Sequence, residues 1–97
     1  MALDMPESFL ERELKRRVEA KGAMFCKFFS RGLRGVPDRM VLMQGGQALF
    51  VEMKQPGGDL GPIQEKRKAE FEALGFKVYV VDSPMAINQF IKEVFLM

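Results

Sequence analysis

Gly35-Val36-Pro37-Asp38 precedes two short apolar stretches, and the second stretch ends in Phe50-Val51-Glu52-Met53-Lys54. Between the two stretches stands Gln44-Gly45-Gly46, whose glycines suit a tight turn that needs positive φ angles. The residues on either side alternate as strands do, over 39–43 and 47–54. The spacing therefore predicts an antiparallel β-hairpin.

The outer ends of this hairpin carry the polar residues. Asp38 and Glu52 are 14 residues apart in the sequence but would lie nearly opposite one another across the strand pair. Glu52 and Lys54 are two residues apart, so their side chains would leave the same face, roughly 6.6 Å apart along the strand. Met53 would point the other way, into the core. The pattern thus gathers two carboxylates and one lysine, a set suited to metal-assisted phosphodiester hydrolysis.

Each residue type has a part in that chemistry. Carboxylates hold Mg2+ or Mn2+, which prefer oxygen ligands and leave positions for water and substrate phosphate. A lysine beside the ion can orient the attacking water and stabilise transition-state charge. The Glu52/Lys54 pair alone is weak evidence, because an acid two residues before a lysine also occurs at Glu13 and Glu19. A solvated strand end is the alternative interpretation, and the addition of Asp38 favours the site.

Composition narrows the class of protein. The 97 residues are predicted to form one domain over 1–97, and the absence of histidine excludes sites built on histidine bases or ligands. The single cysteine, Cys26, can form neither an internal disulfide nor a cysteine-rich zinc site. No signal peptide or segment of transmembrane length is visible. We expect an intracellular, cytoplasmic protein without membrane contact.

The remaining elements alternate between helix and strand. A helix is predicted to begin at a cap on Asp4 and to end at Gly22, and a last helix to begin at Ser83-Pro84. Between them we expect a strand over 23–29, a helix over 62–74 and a strand over 76–82 that is buried on both faces. One face of the second helix is predicted to be defined by Ile63, Arg67, Phe71 and Leu74. The fold class is α/β, a mixed sheet flanked by helices in the order α-β-β-β-α-β-α.

The quoted motifs, followed by Pro56-Gly57-Gly58 and by Gln64, resemble the VRR-NUC (virus-type replication-repair nuclease) domain. Lys27-Phe28-Phe29-Ser30 upstream and 75–81 downstream also fit that family's flanking strands. The resemblance implies the restriction-endonuclease-like core of the PD-(D/E)XK nucleases. The family often has serine where this chain has Gly61, a difference that weakens a helix cap without changing the chemistry.

The resemblance also assigns roles. It implies that Asp38 and Glu52 bind the metal, that Lys54 is the catalytic lysine and that Gln64 supports the site. It further implies a glutamate in the first helix, for which Glu11 is the best match to the family's pattern. Glu7 lies one turn earlier on a similar face, so the choice between the two glutamates stays open.

The implied substrate is DNA, with Mg2+ or Mn2+ as cofactor and no organic cofactor. Four cations near Asp38 are candidate DNA contacts, and they are Lys27, Arg31, Arg34 and Arg39. The resemblance suggests a homodimer that cuts branched DNA, such as a Holliday junction or flap, and a phage or prophage origin. Cleavage of linear or single-stranded DNA, or a non-catalytic DNA-binding module, are the alternatives.

Overall fold

The hairpin forms the centre of a mixed sheet flanked by helices. The computed structural model describes residues 7–96. Its elements are, in chain order, α1 (Glu7–Ala20), β1 (Met24–Lys27), β2 (Arg39–Met43), β3 (Gln47–Met53), α2 (Pro62–Ala73), β4 (Val78–Val81) and α3 (Pro84–Phe95). The strands lie side by side in the order β1-β2-β3-β4, with β1, β2 and β3 antiparallel and β4 parallel to β3. The predicted element order and mixed sheet are confirmed.

The hairpin has the predicted turn and register. Gly45 and Gly46 have φ angles of 83° and 73°, which only glycine adopts readily. In the ladder Arg39 pairs with Val51 and Met43 with Gln47. Asp38 directly precedes β2, and continuing the register one residue beyond the Arg39–Val51 pair places it opposite Glu52.

One face of the sheet carries the hydrophobic core. Helices α1 and α3 pack there, against one another and against the strands. The residues that are at most 2% exposed in this core are Leu10, Leu14, Val18, Val41, Val51, Met53, Val81, Ile87, Phe90 and Ile91. Met53 therefore points into the core, as its place in the alternation predicts. None of the helices within residues 7–96 is both long and apolar enough to cross a membrane.

The opposite face is covered less completely, by α2. No residue of α2 is fully buried. The ring of Phe71 on this helix packs with those of Phe28, Phe50 and Phe76, and the Phe50 and Phe71 centroids are 4.9 Å apart. The prediction that the second helix runs to Leu74 is one residue too long. The helix ends at Ala73, and Leu74 at its C-cap is 77% exposed.

Several element ends also differ from the predictions. Strand β1 is shorter than the predicted 23–29, and β4 is shorter than the predicted 76–82. The prediction that β4 is buried on both faces is wrong for Tyr79 and Val80, which are only partly buried, because β4 is an edge strand. The predicted cap at Asp4 lies outside the described residues. Ser83 does cap α3, where its hydroxyl accepts a hydrogen bond from the Ala86 backbone N–H.

Candidate active site

Asp38 is fixed at the mouth of the hairpin by backbone groups. The Met53 N–H donates to Oδ1 of Asp38 at 3.1 Å, which ties the carboxylate to the end of β3. The Asp38 carbonyl accepts the Phe28 N–H at 2.9 Å and Nη1 of Arg39 at 2.9 Å. Both the backbone and the side chain of Asp38 are therefore held in place before any ligand arrives.

Glu52 is a buried carboxylate. Only 5% of the residue is exposed, and its Oε2 accepts a hydrogen bond from Nε2 of Gln64 at 3.0 Å. Burial raises the pKa of Glu52 to about 7, and the negative charge of Asp38 acts in the same direction. The pKa of Asp38 is also raised, chiefly by burial, although the Met53 N–H opposes the rise. Two acids that resist ionisation together form an environment that a cation would stabilise.

Gln64 connects Glu52 to Lys54. Its Oε1 accepts hydrogen bonds from Nζ of Lys54 and from the Gly61 N–H, both at 2.9 Å. Its Nε2 donates to Glu52, so one amide side chain bonds both the ammonium of Lys54 and the carboxylate of Glu52. Nζ of Lys54 itself lies 3.9 Å from Oε2 of Glu52. Gly61, the N-cap of α2, offers no side-chain cap, and the side chain of Gln64 supplies the hydrogen bond to the Gly61 backbone.

A cavity of about 570 Å³ opens between these side chains and the glycine-containing loop that follows β3. Its lining includes Glu7, Asp38, Glu52, Lys54, Gln64 and the loop residues 55–59. Predicted site residues from the hairpin and from α2 thus meet at one polar depression. Among residues 7–96, however, no three acidic, histidine or cysteine side chains come close enough to hold an ion by themselves. Asp38 and Glu52 would leave the other ligand positions of an ion to water or substrate.

The two helix glutamates have different surroundings. Glu7 lines the cavity, and its charge contributes to the raised pKa of Glu52. Glu11 instead pairs with Arg39, whose Nη2 lies 2.6 Å from Oε1 and whose Nε donates to Oε2 at 3.0 Å. Glu11 therefore lies against Arg39, while Glu7 lines the depression.

The four candidate DNA contacts differ in how exposed they are. Lys27, Arg31 and Arg34 are exposed, and the two arginines lie on the loop that leads from β1 to Asp38. The side chain of Arg39 is only 12% exposed and is occupied by Glu11 and the Asp38 carbonyl. This guanidinium joins α1 to β2, and its assignment as a phosphate contact stays a prediction.

Sequence reasoning missed three backbone contributions to the site. These are the N–H groups of Phe28, Met53 and Gly61. No pattern of side-chain types signals them.

Comparisons with known proteins identify the family of this chain. The VRR-NUC domain family matches residues 3–85. The chain belongs to the VRR-NUC family. A solved structure described as a VRR-NUC domain superimposes with a TM-score of 0.84 at 29% identity, covering 92% of this chain and 97% of the other. The α/β nuclease core is thus shared along nearly the whole length.

A phage relative adds support for nuclease activity in the family. It is named "Putative nuclease p44", from Acyrthosiphon pisum secondary endosymbiont phage 1, and is 43% identical over 77 residues. The match covers 79% of this chain and 83% of the relative. VRR-NUC membership and this relative together support a nuclease, and nucleases with the PD-(D/E)XK core generally use divalent metals.

Proposed function

We propose that this VRR-NUC chain is a divalent-metal-dependent endonuclease that acts on branched DNA as a homodimer. The observation that carries the catalytic part is the convergence of Asp38, Glu52, Lys54 and Gln64 on one polar cavity. The two carboxylates supply hard oxygen donors, and the raised pKa of Glu52 marks a charge that the surrounding residues do not fully compensate.

In this proposal Asp38 and Glu52 hold Mg2+ or Mn2+. Such an ion, when bound, lowers the pKa of a water and offsets negative charge on the phosphate. Lys54 orients the attacking water and stabilises the charge that develops on the phosphate oxygens. Gln64 keeps the ammonium of Lys54 beside Glu52 by bonding both groups. Glu7 is the helix glutamate that we assign to the site, because it lines the cavity and Glu11 does not.

The dimer is inferred from the incompletely covered face of the sheet. The strand pairing places Met24, Leu42 and Phe50 on the same face. Met24 is 62% exposed and Leu42 37% exposed, and nearby on the α2 side Phe76 is 41% exposed. An apolar surface of this kind fits a second copy of the chain, and two active sites would suit paired incisions in branched DNA.

The test is cleavage of end-labelled four-way junction, flap, linear duplex and single-stranded DNA in Mg2+, Mn2+ or EDTA. We compare the native chain with Lys54→Ala and use Lys92→Ala, an exposed lysine on α3, as the matched control. Metal-dependent incisions at the branch that vanish only in Lys54→Ala are expected. If linear or single-stranded DNA is cleaved as fast as the junction and the flap, the proposal that the enzyme prefers branched DNA is wrong. Intact DNA with every metal, alongside retained binding, would identify a non-catalytic module.

A further inference from the structure

The loop between β1 and β2 places apolar and basic side chains together on the surface. We call residues 29–37 the arginine loop. Phe29 is 77% exposed and Leu33 is 40% exposed. Arg31 and Arg34, which alternate with them, are also exposed, and the stretch from Lys27 to Pro37 contains no acid. The surface of this loop therefore combines an exposed aromatic ring with basic side chains.

The base of the arginine loop is fixed to the active site. The Phe28 N–H bonds the Asp38 carbonyl and closes the neck of the loop. The Phe28 ring packs on Phe50, with centroids 5.2 Å apart, and Pro37 is buried. Gly35, at φ 82°, lies so near Ile63 that an added Cβ would come within 2.9 Å of it. The exposed side chains are therefore carried by a short loop anchored at both ends and directly bonded to Asp38.

We propose that Phe29, supported by Leu33, stacks on the base that is exposed at a DNA branch point, while Arg31 and Arg34 contact the flanking phosphates. Aromatic and apolar side chains gain energy by covering an open base face, and arginines supply backbone affinity. In a continuous duplex each interior base is already stacked on both sides. At a branch the terminal base pair of an arm offers a free face. The arginine loop would thus select branched DNA next to Asp38, which deepens the proposed function and rests on it.

The experiment measures binding without cleavage. The full chain is titrated in EDTA into a four-way junction that carries 2-aminopurine beside the branch, and into a linear duplex with the same label. Phe29→Ala is expected to lose the fluorescence change and to weaken junction binding roughly 5- to 100-fold. Duplex binding should change less than about twofold, because the phosphate contacts remain. Phe29→Trp should restore both signals. Met85→Ala, which removes another largely exposed apolar side chain on α3, should bind like the native chain.

Two outcomes would overturn the proposal. One is an equal effect of Phe29→Ala on junction and duplex, which would make the ring a general surface contact. The other is a Phe29→Ala variant that is monomeric in sizing with light scattering while the native chain is dimeric, which would assign Phe29 to a subunit interface. Neither depends on catalysis. If the native chain cuts no DNA, the proposed nuclease activity is refuted, and the binding experiment still tests the arginine loop separately.

Discussion

Arg39 grips Glu11 at two points, with its Nη2 2.6 Å from Oε1 and its Nε donating to Oε2 at 3.0 Å. The same guanidinium donates to the Asp38 carbonyl at 2.9 Å. One arginine thus fastens α1 to the start of β2 beside a proposed metal ligand. Since Glu7 precedes Glu11 by about one helical turn, the ion pair also sets which glutamate faces the cavity.

Glu7→Gln and Glu11→Gln are therefore expected to fail differently. Glu7→Gln removes a charge from the cavity and should weaken Mn2+ affinity about tenfold in calorimetry, with stability retained. Glu11→Gln removes the charge that Arg39 pairs with on α1 and should lower the free energy of unfolding by about 2 kcal/mol in urea. The matched control is Glu13→Gln, which breaks an exposed pair with Arg16 on the same helix and should leave stability unchanged. A larger loss of Mn2+ affinity in Glu11→Gln than in Glu7→Gln would reverse the assignment.

Gln64→Glu tests the amide that joins Lys54 to Glu52. The new carboxylate keeps an acceptor for Lys54 and for Gly61, but it loses the donor to Glu52 and adds a negative charge. We expect kcat to fall 10- to 100-fold, a typical effect for groups that orient metal-site residues. Gln89→Glu, on the exposed side of α3, adds the same charge remotely. Steady-state cleavage that is equal in both variants would show that the amide has no positioning role.

Glu52 predicts an unusual pH dependence of stability. Its pKa is about 7 in the folded chain and near 4.5 when unfolded, so between these values the folded state binds more protons. The metal-free protein should lose stability as pH rises from about 4.5 to about 7, by about 3 kcal/mol. Urea unfolding in EDTA measures the slope. Glu52→Gln should flatten it, and saturating Mn2+ should restore stability at neutral pH; a slope unchanged in Glu52→Gln would assign it to other groups.

Gly35→Ala combines two costs. The position has φ 82°, and the added Cβ would lie 2.9 Å from the backbone oxygen of Ile63. We expect a loss of about 2 kcal/mol or more in the free energy of unfolding. Gly45 has nearly the same φ, 83°, but open space around an added Cβ, so Gly45→Ala isolates the backbone strain at about 1 kcal/mol. Equal losses in the two variants would mean that the contact with Ile63 yields easily.

Leu42→Glu tests the proposed dimer. The side chain is 37% exposed on the face that we assign to the second copy, so a carboxylate there should be tolerated by the fold and excluded from an interface. Sizing with light scattering at micromolar concentration should give a dimer for the native chain and a monomer for the variant. Met85→Glu, on the exposed start of α3, should stay dimeric. A native chain that is already monomeric would contradict the proposed dimer and, with it, the proposed paired incisions.

The sequence was sufficient for the hairpin because its turn glycines and alternating strands are local signals. Asp38, Glu52 and Lys54 were located through that register. It did not separate Glu7 from Glu11, since residues four apart share a helix face and only the tertiary position of Arg39 distinguishes them. Leu74 was misplaced because apolar periodicity does not reveal where a helix stops. The short β4 and the exposure of Tyr79 followed from an edge position that depends on strand order.

The register of the hairpin has an evolutionary consequence. Asp38 faces Glu52 only because three residues, 44–46, connect Met43 to Gln47. A slip of one residue would bring Val51 or Met53 opposite Asp38 and turn the glutamate toward the core. The number of residues between Asp38 and Glu52 is therefore constrained, because changing it by one moves the glutamate to the other face of the sheet. A substitution on these strands leaves the facing of the two acids intact, whereas an insertion or deletion within either strand shifts it unless the turn absorbs the change.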